Sequence, residues 1–436
     1  MDSSERSWGI TPVPDRLRTF SFLDTAALWG NLGISLLVLV AGALLVPALG
    51  LREALAAIAA GSVLGCALLG LAGFIGEERR LPGMVLLRDP LGQQGSYLPT
   101  ALNVFQNLGW ATFELIVIAA AANALADEVF GFRAKWLWTL IFGGVIAWLA
   151  LAGPISFVRR FVRRFAIWAV IASTAYLTWW AIDRSDVGAL WDAPGEGGLS
   201  WWQGVDLTIG MAASWLPLAA DYTRFCRDGR GAFWGTSLGY LVSLVWLLAL
   251  GALLALSQGL TDPTTLLAAV ATGGVAGALA LLALTVDETD EPFANVYSAA
   301  VSLQNLVPRA PQRLLVLGCT AVAIAGALTI DLFAYQGFLF LLGSFFVPLF
   351  GVLAADYLLG PGHPVAVRWS GIAAWIAGFG LYQWIQPTGP EWWTSFVGES
   401  ARVSIGASLP AFAASFALYA LARVPSRTRA ALGSRA

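Results

Sequence analysis

Long apolar stretches alternate with short polar segments along nearly the whole chain. They run near 22–47, 53–75, 97–125, 134–152, 164–182, 204–220, 232–257, 273–304, 312–330, 332–358, 366–386 and 403–422. Each is long enough for an α-helix to cross a bilayer's hydrocarbon core, which takes about 20 residues. The pattern predicts an all-α membrane protein with twelve transmembrane helices. A polar segment, 1–21, precedes the helical body at 22–424, and a tail, 425–436, follows it. No small-residue cleavage pattern precedes the first span, so no removable signal peptide is expected.

Charge fixes the orientation. Of the 25 Lys and Arg, only Arg52, Arg133, Lys135, Arg184 and Arg402 fall in loops on the far side from the N-terminus. The other 20 lie with the two termini, which the positive-inside rule places in the cytoplasm of a cell-membrane protein. Composition agrees: 58% of residues are hydrophobic and 12% charged, with mean hydropathy +0.72. A net charge of −2 excludes nucleic acid as a partner. Cys66, Cys226 and Cys319 are far apart, lack metal-ligand spacing, and read as buried small apolar residues. Nothing in the charge or hydropathy fixes an oligomeric state.

One stretch breaks the apolar pattern. "TVDETDEPFANVYSAAV", residues 285–301, carries Asp287, Glu288, Asp290 and Glu291 within five positions. Hydropathy alone favours a span at 264–284 followed by a cytoplasmic loop holding these acids. Against that, Asp287, Glu288, Glu291, Asn295, Ser298 and Ser302 fall within about a 100° arc of a helix. Such a stripe suits a span facing a bundle interior or a watered cavity. Pro292 removes a backbone donor and frees the Glu288 carbonyl, as at a binding site within a span.

Two other spans carry interruptions: Gly30, Asn31 and Gly33 in the first, Gly210 and Pro217 in the sixth. Breaks five helices apart are the mark of an inverted-repeat transporter, although glycine also serves close helix packing. In the third span Trp110 and Glu114 share a helix face. The indole offers a stacking surface, and a carboxylate at mid-membrane is functional by default. Trp136, Trp138, Trp179, Trp180, Trp191, Trp201, Trp202, Trp392 and Trp393 lie near span ends and read as an interfacial belt. No nucleophile–base pair, metal cluster or phosphate loop appears, so neither an enzyme nor a cofactor is expected. Apart from a coupling ion, the partners are a small molecule and the lipid bilayer.

"FSFLDTAALWGNLG", "GWATFE", "AADYTRF", "PFANVYSAA" and "FFVPLFGVLAADYLL" occur in the order seen in the nucleobase–cation symporter family of cytosine, purine, allantoin and hydantoin permeases. The chain resembles that family over roughly residues 12–424. The resemblance implies the LeuT-like fold: two inverted five-helix repeats plus two C-terminal helices. It also moves the acidic run into the eighth span. The implied function is secondary active uptake of a small planar heterocycle, with H⁺ or Na⁺ as coupling ion. A pyrimidine such as cytosine or a hydroxymethylpyrimidine-like precursor is the expected substrate; an amino-acid or amine carrier on the same fold is the alternative. A channel or a membrane enzyme is the more distant one.

Residue by residue, Trp110 matches the family's stacking tryptophan and Asn295 its substrate-binding asparagine. Glu114 stands where hydantoin permeases have glutamine, and Ser35 at a substrate-lining position of the first span. Glu291 lies where the cation and substrate sites join. The carbonyls of Asn31, Ile34 and Val286 and the side chains of Thr289 and Asp290 match the cation site. Ala212 occupies the position of the family's sixth-span tryptophan, and Trp215, three residues on, is the candidate to replace it. Asp290 replaces a hydroxyl of the sodium-coupled members, so it either strengthens Na⁺ binding or carries a proton.

The charge asymmetry generates a labelling test. Cysteine placed at Glu196 reacts with an impermeant thiol reagent in intact cells, and cysteine at Arg427 does not; the reverse pattern would overturn the orientation.

Overall fold

The computed structural model describes residues 9–153, 167–259, 282–283, 285–286, 288–330, 335–360, 362–398 and 405–433. The chain opens with a 3-10 turn at Asp15–Leu17, then helices α1 (Phe22–Leu32), α2 (Leu36–Ala43), α3 (Leu51–Arg79), α4 (Gly83–Leu86), α5 (Arg88–Leu91), α6 (Tyr97–Phe130) and α7 (Lys135–Ala152). After these come α8 (Ile167–Asp183), α9 (Val187–Asp192), α10 (Trp201–Ala213), α11 (Ala219–Thr223) and α12 (Gly229–Gln258). The last are α13 (Asp290–Leu306), α14 (Gln312–Thr329), α15 (Tyr335–Leu359), α16 (Trp369–Ile385), α17 (Glu391–Val397) and α18 (Ser408–Gly433). Among the described residues the one β-type pairing is an isolated bridge between Phe20 and Cys226.

Six of these helices are long and apolar enough to cross a membrane, and α1 with α2 makes a seventh such span, bent by 59°. Segment 260–281, the start of the predicted eighth span, lies outside the described residues, as do Asp287, Arg159, Arg160, Arg163, Arg164 and Arg402. Trp136, Trp179, Trp191, Trp202 and Trp392 are exposed on the outer surface, in keeping with the expected belt. The three cysteines are free and buried.

The first halves of the two interrupted spans start alike. Ser21 and Asp24 cap each other's backbone at the head of α1, at 3.0 and 3.3 Å. Ser200 and Gln203 do the same for α10, at 2.8 and 3.2 Å. Each box satisfies two amides that a helix start otherwise leaves open. The breaks lie later than the first glycine of each span implies. Gly30 and Asn31 are still helical in α1, and the interruption covers 33–35, with Gly33 in it as expected; Gly210 is helical in α10, and the second interruption covers 214–218, with Pro217 in it as expected.

Glycine instead sets how closely helices pack. Gly42 of α2 lies directly against the backbone of Leu248, and Gly251 of α12 against that of Leu39. Lipid provides no hydrophobic drive between helices, so backbone contact of this kind supplies the packing energy. Helix α18 is fastened at two levels. Asp206 of α10 accepts from the amides of Ala407 and Ser408, at 3.2 and 2.9 Å, while Tyr419 donates to Asp356 of α15 at 2.6 Å.

Residues 9–20 lie across one end of the bundle rather than apart from it, with Val13, Leu17 and Phe20 buried. Val13 N–H donates to the Arg80 carbonyl at 3.0 Å. Arg18 pairs with Glu77 of α3 and reaches the Cys226 carbonyl at 3.2 Å. The fully buried Arg224 donates to the Gly9 carbonyl at 2.7 Å and to the Tyr297 hydroxyl at 3.0 Å.

Gly251→Leu forces a side chain into the Leu39 backbone and should lower stability by roughly 1–3 kcal/mol. Thermal unfolding of purified protein in detergent checks this, with Gly144→Leu, which enters open space on α7, leaving the transition unchanged.

Candidate functional site

A break in a membrane helix leaves amide and carbonyl groups that must find partners inside the protein. At the break between α1 and α2 the partners are two acids of the run at 287–291. Glu288 accepts from the Leu36 amide at 3.1 Å and from the Ser35 hydroxyl at 2.9 Å. The Ser35 oxygen in turn accepts from the Leu37 amide at 3.1 Å. Together they cap α2, and an anion there opposes the positive end of the helix dipole. On the other lip, Asn31 of α1 donates to Asp290 at 2.7 Å. Glu288 and Asp290 are both buried.

The acids sit at a second break. Residues 282–283 and 285–286 are helical, 288–289 form a turn, and α13 starts at Asp290. Asp290 and Glu291 occupy its first turn, where acidic side chains are favoured, and Pro292 follows where a missing amide costs little. The Thr289 hydroxyl donates to the Val286 carbonyl at 2.7 Å, which draws two neutral oxygens together beside Asp290.

Next to the breaks is a small, partly enclosed cavity. Trp110 of α6 forms one wall, steadied edge-on by Phe338, 5.1 Å between ring centres. Trp215, in the break after α10, forms another. It rests on Trp29 at 5.8 Å and near Tyr240 of α12 at 6.4 Å, and Tyr240 lines the cavity too. Between these walls stand Glu114 and Glu291, both buried. Asn295 donates to both Glu114 oxygens, at 3.0 and 3.1 Å, and to the Glu291 carbonyl at 3.1 Å. Gln106 of α6 reaches the Ser214 carbonyl, released by the break, at 3.4 Å.

Of the expected substrate residues, Ser35, Trp110, Glu114, Trp215, Glu291 and Asn295 line this one cavity. Ala212 does not: it is fully buried and faces Gly65 of α3. Asn31, Ile34, Val286, Thr289 and Asp290 gather at the two breaks, Asn31 and Asp290 in direct contact. Among the described residues no group of three His, Cys, Asp or Glu is arranged to hold a metal ion. Glu288 as a helix cap, and Met211, Ser214 and Tyr240 as lining, were not anticipated. A Ser followed by an apolar helix at 35–43 is a legible cap signal; nothing local marks Tyr240.

The model of the family described as "Permease for cytosine/purines, uracil, thiamine, allantoin" matches residues 12–363. The chain belongs to that permease family. It is 26% identical to the hydantoin permease of Microbacterium maritypicum over 365 residues, covering 78% of this chain and 73% of that one. The allantoin permease of Bacillus subtilis is 24% identical, with 80% and 78% covered. Among solved structures, Mhp1, a nucleobase-cation-symport-1 family transporter, in a closed conformation with bromovinylhydantoin bound, superposes with TM-score 0.81 at 20% identity, covering 98% and 96%. The inward-facing form of Mhp1 gives 0.74. This permease therefore shares the LeuT-like fold. Like its family it is a multi-pass membrane transporter rather than an enzyme.

Glu288→Ala strips the acceptor from the Leu36 amide and the Ser35 hydroxyl at mid-membrane. The expected loss is about 1–3 kcal/mol, the cost of buried polar groups left without a partner. It should appear as a lower unfolding temperature of the purified permease, with Glu288→Gln recovering part of it.

Proposed function

We propose that this permease is a secondary active importer coupling a cation, H⁺ or Na⁺, to uptake of a small planar heterocycle. A pyrimidine such as cytosine or a hydroxymethylpyrimidine-like precursor is the favoured substrate. The observation that carries the reading is the cavity between Trp110 and Trp215, with two carboxyl groups on its floor and two broken helices at its edge. Flat indole faces suit a planar ring, and carboxyl oxygens suit its N–H and amino donors.

The cation is assigned to the Asn31, Ile34 and Val286 carbonyls with the Thr289 hydroxyl and Asp290. One Asp290 oxygen is held by Asn31; the other is buried and makes no hydrogen bond to another segment. Hard oxygen donors of this kind suit Na⁺, and a buried carboxyl in the same place suits a proton. In this proposal the chain has twelve spans, arranged as two inverted repeats of five with two helices following, in the cell membrane with both termini cytoplasmic. The two capping boxes, at Ser21 and Ser200, support the repeat.

Proteoliposomes loaded to impose a Na⁺ or a pH gradient test the proposal. Uptake of labelled cytosine should saturate and be driven by one of the two gradients. Asp290→Asn should abolish accumulation while leaving exchange of substrate intact. Trp110→Ala should weaken substrate binding by roughly 1–3 kcal/mol, the scale of a base stacked on an aromatic side chain. Accumulation by Asp290→Asn with unchanged ion dependence would remove Asp290 from coupling. Non-saturating flux would point to a channel.

A further inference from the structure

Three polar side chains that line the cavity have no hydrogen left to offer a ligand. Ser35 donates to Glu288 at 2.9 Å, and Ser214 donates to the Met211 carbonyl at 2.7 Å. The Asn295 amide nitrogen is engaged by Glu114 and by the Glu291 carbonyl. The acceptors are the reverse case. Glu114 and Glu291 both line the cavity, and no Lys, Arg or His does. Glu288 and Asp290 add further acid from the adjoining turn, and the side chains that hold them, Ser35 and Asn31, are neutral. The nearby Arg224 is committed at the strapped end to Gly9, Tyr297 and the Asp221 carbonyl.

We infer that the cavity selects a planar ring carrying a positively charged amidine edge, an N–C–N fork of N–H donors, seated against Glu114 and Glu291 between Trp110 and Trp215. This rests on the cavity being the substrate site and narrows the class of substrate it takes. A carboxylate pairs with such a fork through two parallel, charge-assisted hydrogen bonds. The electron-rich faces of Trp110, Trp215 and Tyr240 attract the same cation. A cyclic imide places a carbonyl on each side of its N–H, and with that N–H seated on the acids those oxygens lie beside the oxygens of Glu114 and Glu291. A protonated aminopyrimidine presents the required edge; a hydantoin or uracil ring does not.

Two probes of nearly equal shape isolate the charge: benzamidine, a cation, and benzamide, its neutral counterpart. Their binding to the full-length permease in lipid nanodiscs is read by calorimetry. Wild-type protein should bind benzamidine about tenfold or more tighter than benzamide, the scale separating a charged from a neutral hydrogen-bonded pair. Glu114→Gln and Glu291→Gln should each erase most of that preference, whereas Trp110→Ala should weaken both probes, benzamidine somewhat more, and leave part of the preference in place. Equal or tighter binding of benzamide by the wild type overturns the inference without recourse to any variant. Binding of cytosine or hydantoin with neither probe bound overturns it too and leaves the importer reading standing. If no planar ring binds at all, both fall together.

Discussion

A peptide group inside a bilayer has no water to turn to, and the break between α1 and α2 exposes several such groups near the middle of a span. Everything around the candidate site follows from meeting that demand. Glu288 answers it on the α2 side through Leu36 and Ser35, and Asp290 holds Asn31 on the α1 side. The acids are therefore framework and chemistry together. They hold the lips of the break in position, and in the proposed function the oxygens they bring there are the ones offered to a cation. Glu291, one residue further along the first turn of α13, lines the cavity with Glu114. Three acids within four residues thus serve the break and the cavity from one short segment, which explains why so greasy a chain places its acids together.

Much of this was legible in the sequence. The apolar lengths marked most of the long described helices to within a few residues. Trp110 and Glu114, four apart, were readable as one face because a helix makes them so. The polar stripe through Glu291 and Asn295 was readable for the same reason. Glycine misled about the breaks. Gly30 looked like an interruption, yet it is helical, its bare Cα lying near the Gly239 carbonyl at a packed crossing. The break was placed by Glu288, more than 250 residues away along the chain. A cap supplied from that distance leaves no local trace.

Aromatic contacts show the same limit. Trp215 could be named as a candidate from its place in the sixth span, but its support could not. It leans on Trp29 from the first span and Tyr240 from the seventh, a cluster assembled only by packing. Ala212 is the complement: at the position the family resemblance assigned to a ring, the chain has a methyl group because Gly65 brings α3 too close for anything larger. The ring that lines the cavity instead, Trp215, lies about one turn on, in the break.

The segment at residues 9–20 fastens to three different partners: α3 through Arg80 and Glu77, the chain after α11 through Cys226, and α13 indirectly through Arg224 and Tyr297. Elements tied to one common ribbon cannot part independently. Widening a passage at that end requires the ribbon to let go of at least one of them, and the bond broken is a buried one, from guanidinium or backbone. The barrier to opening there is therefore set as much by an irregular peptide lying across the end of the bundle as by the helices it spans, and its height is written in residues that do not line the cavity.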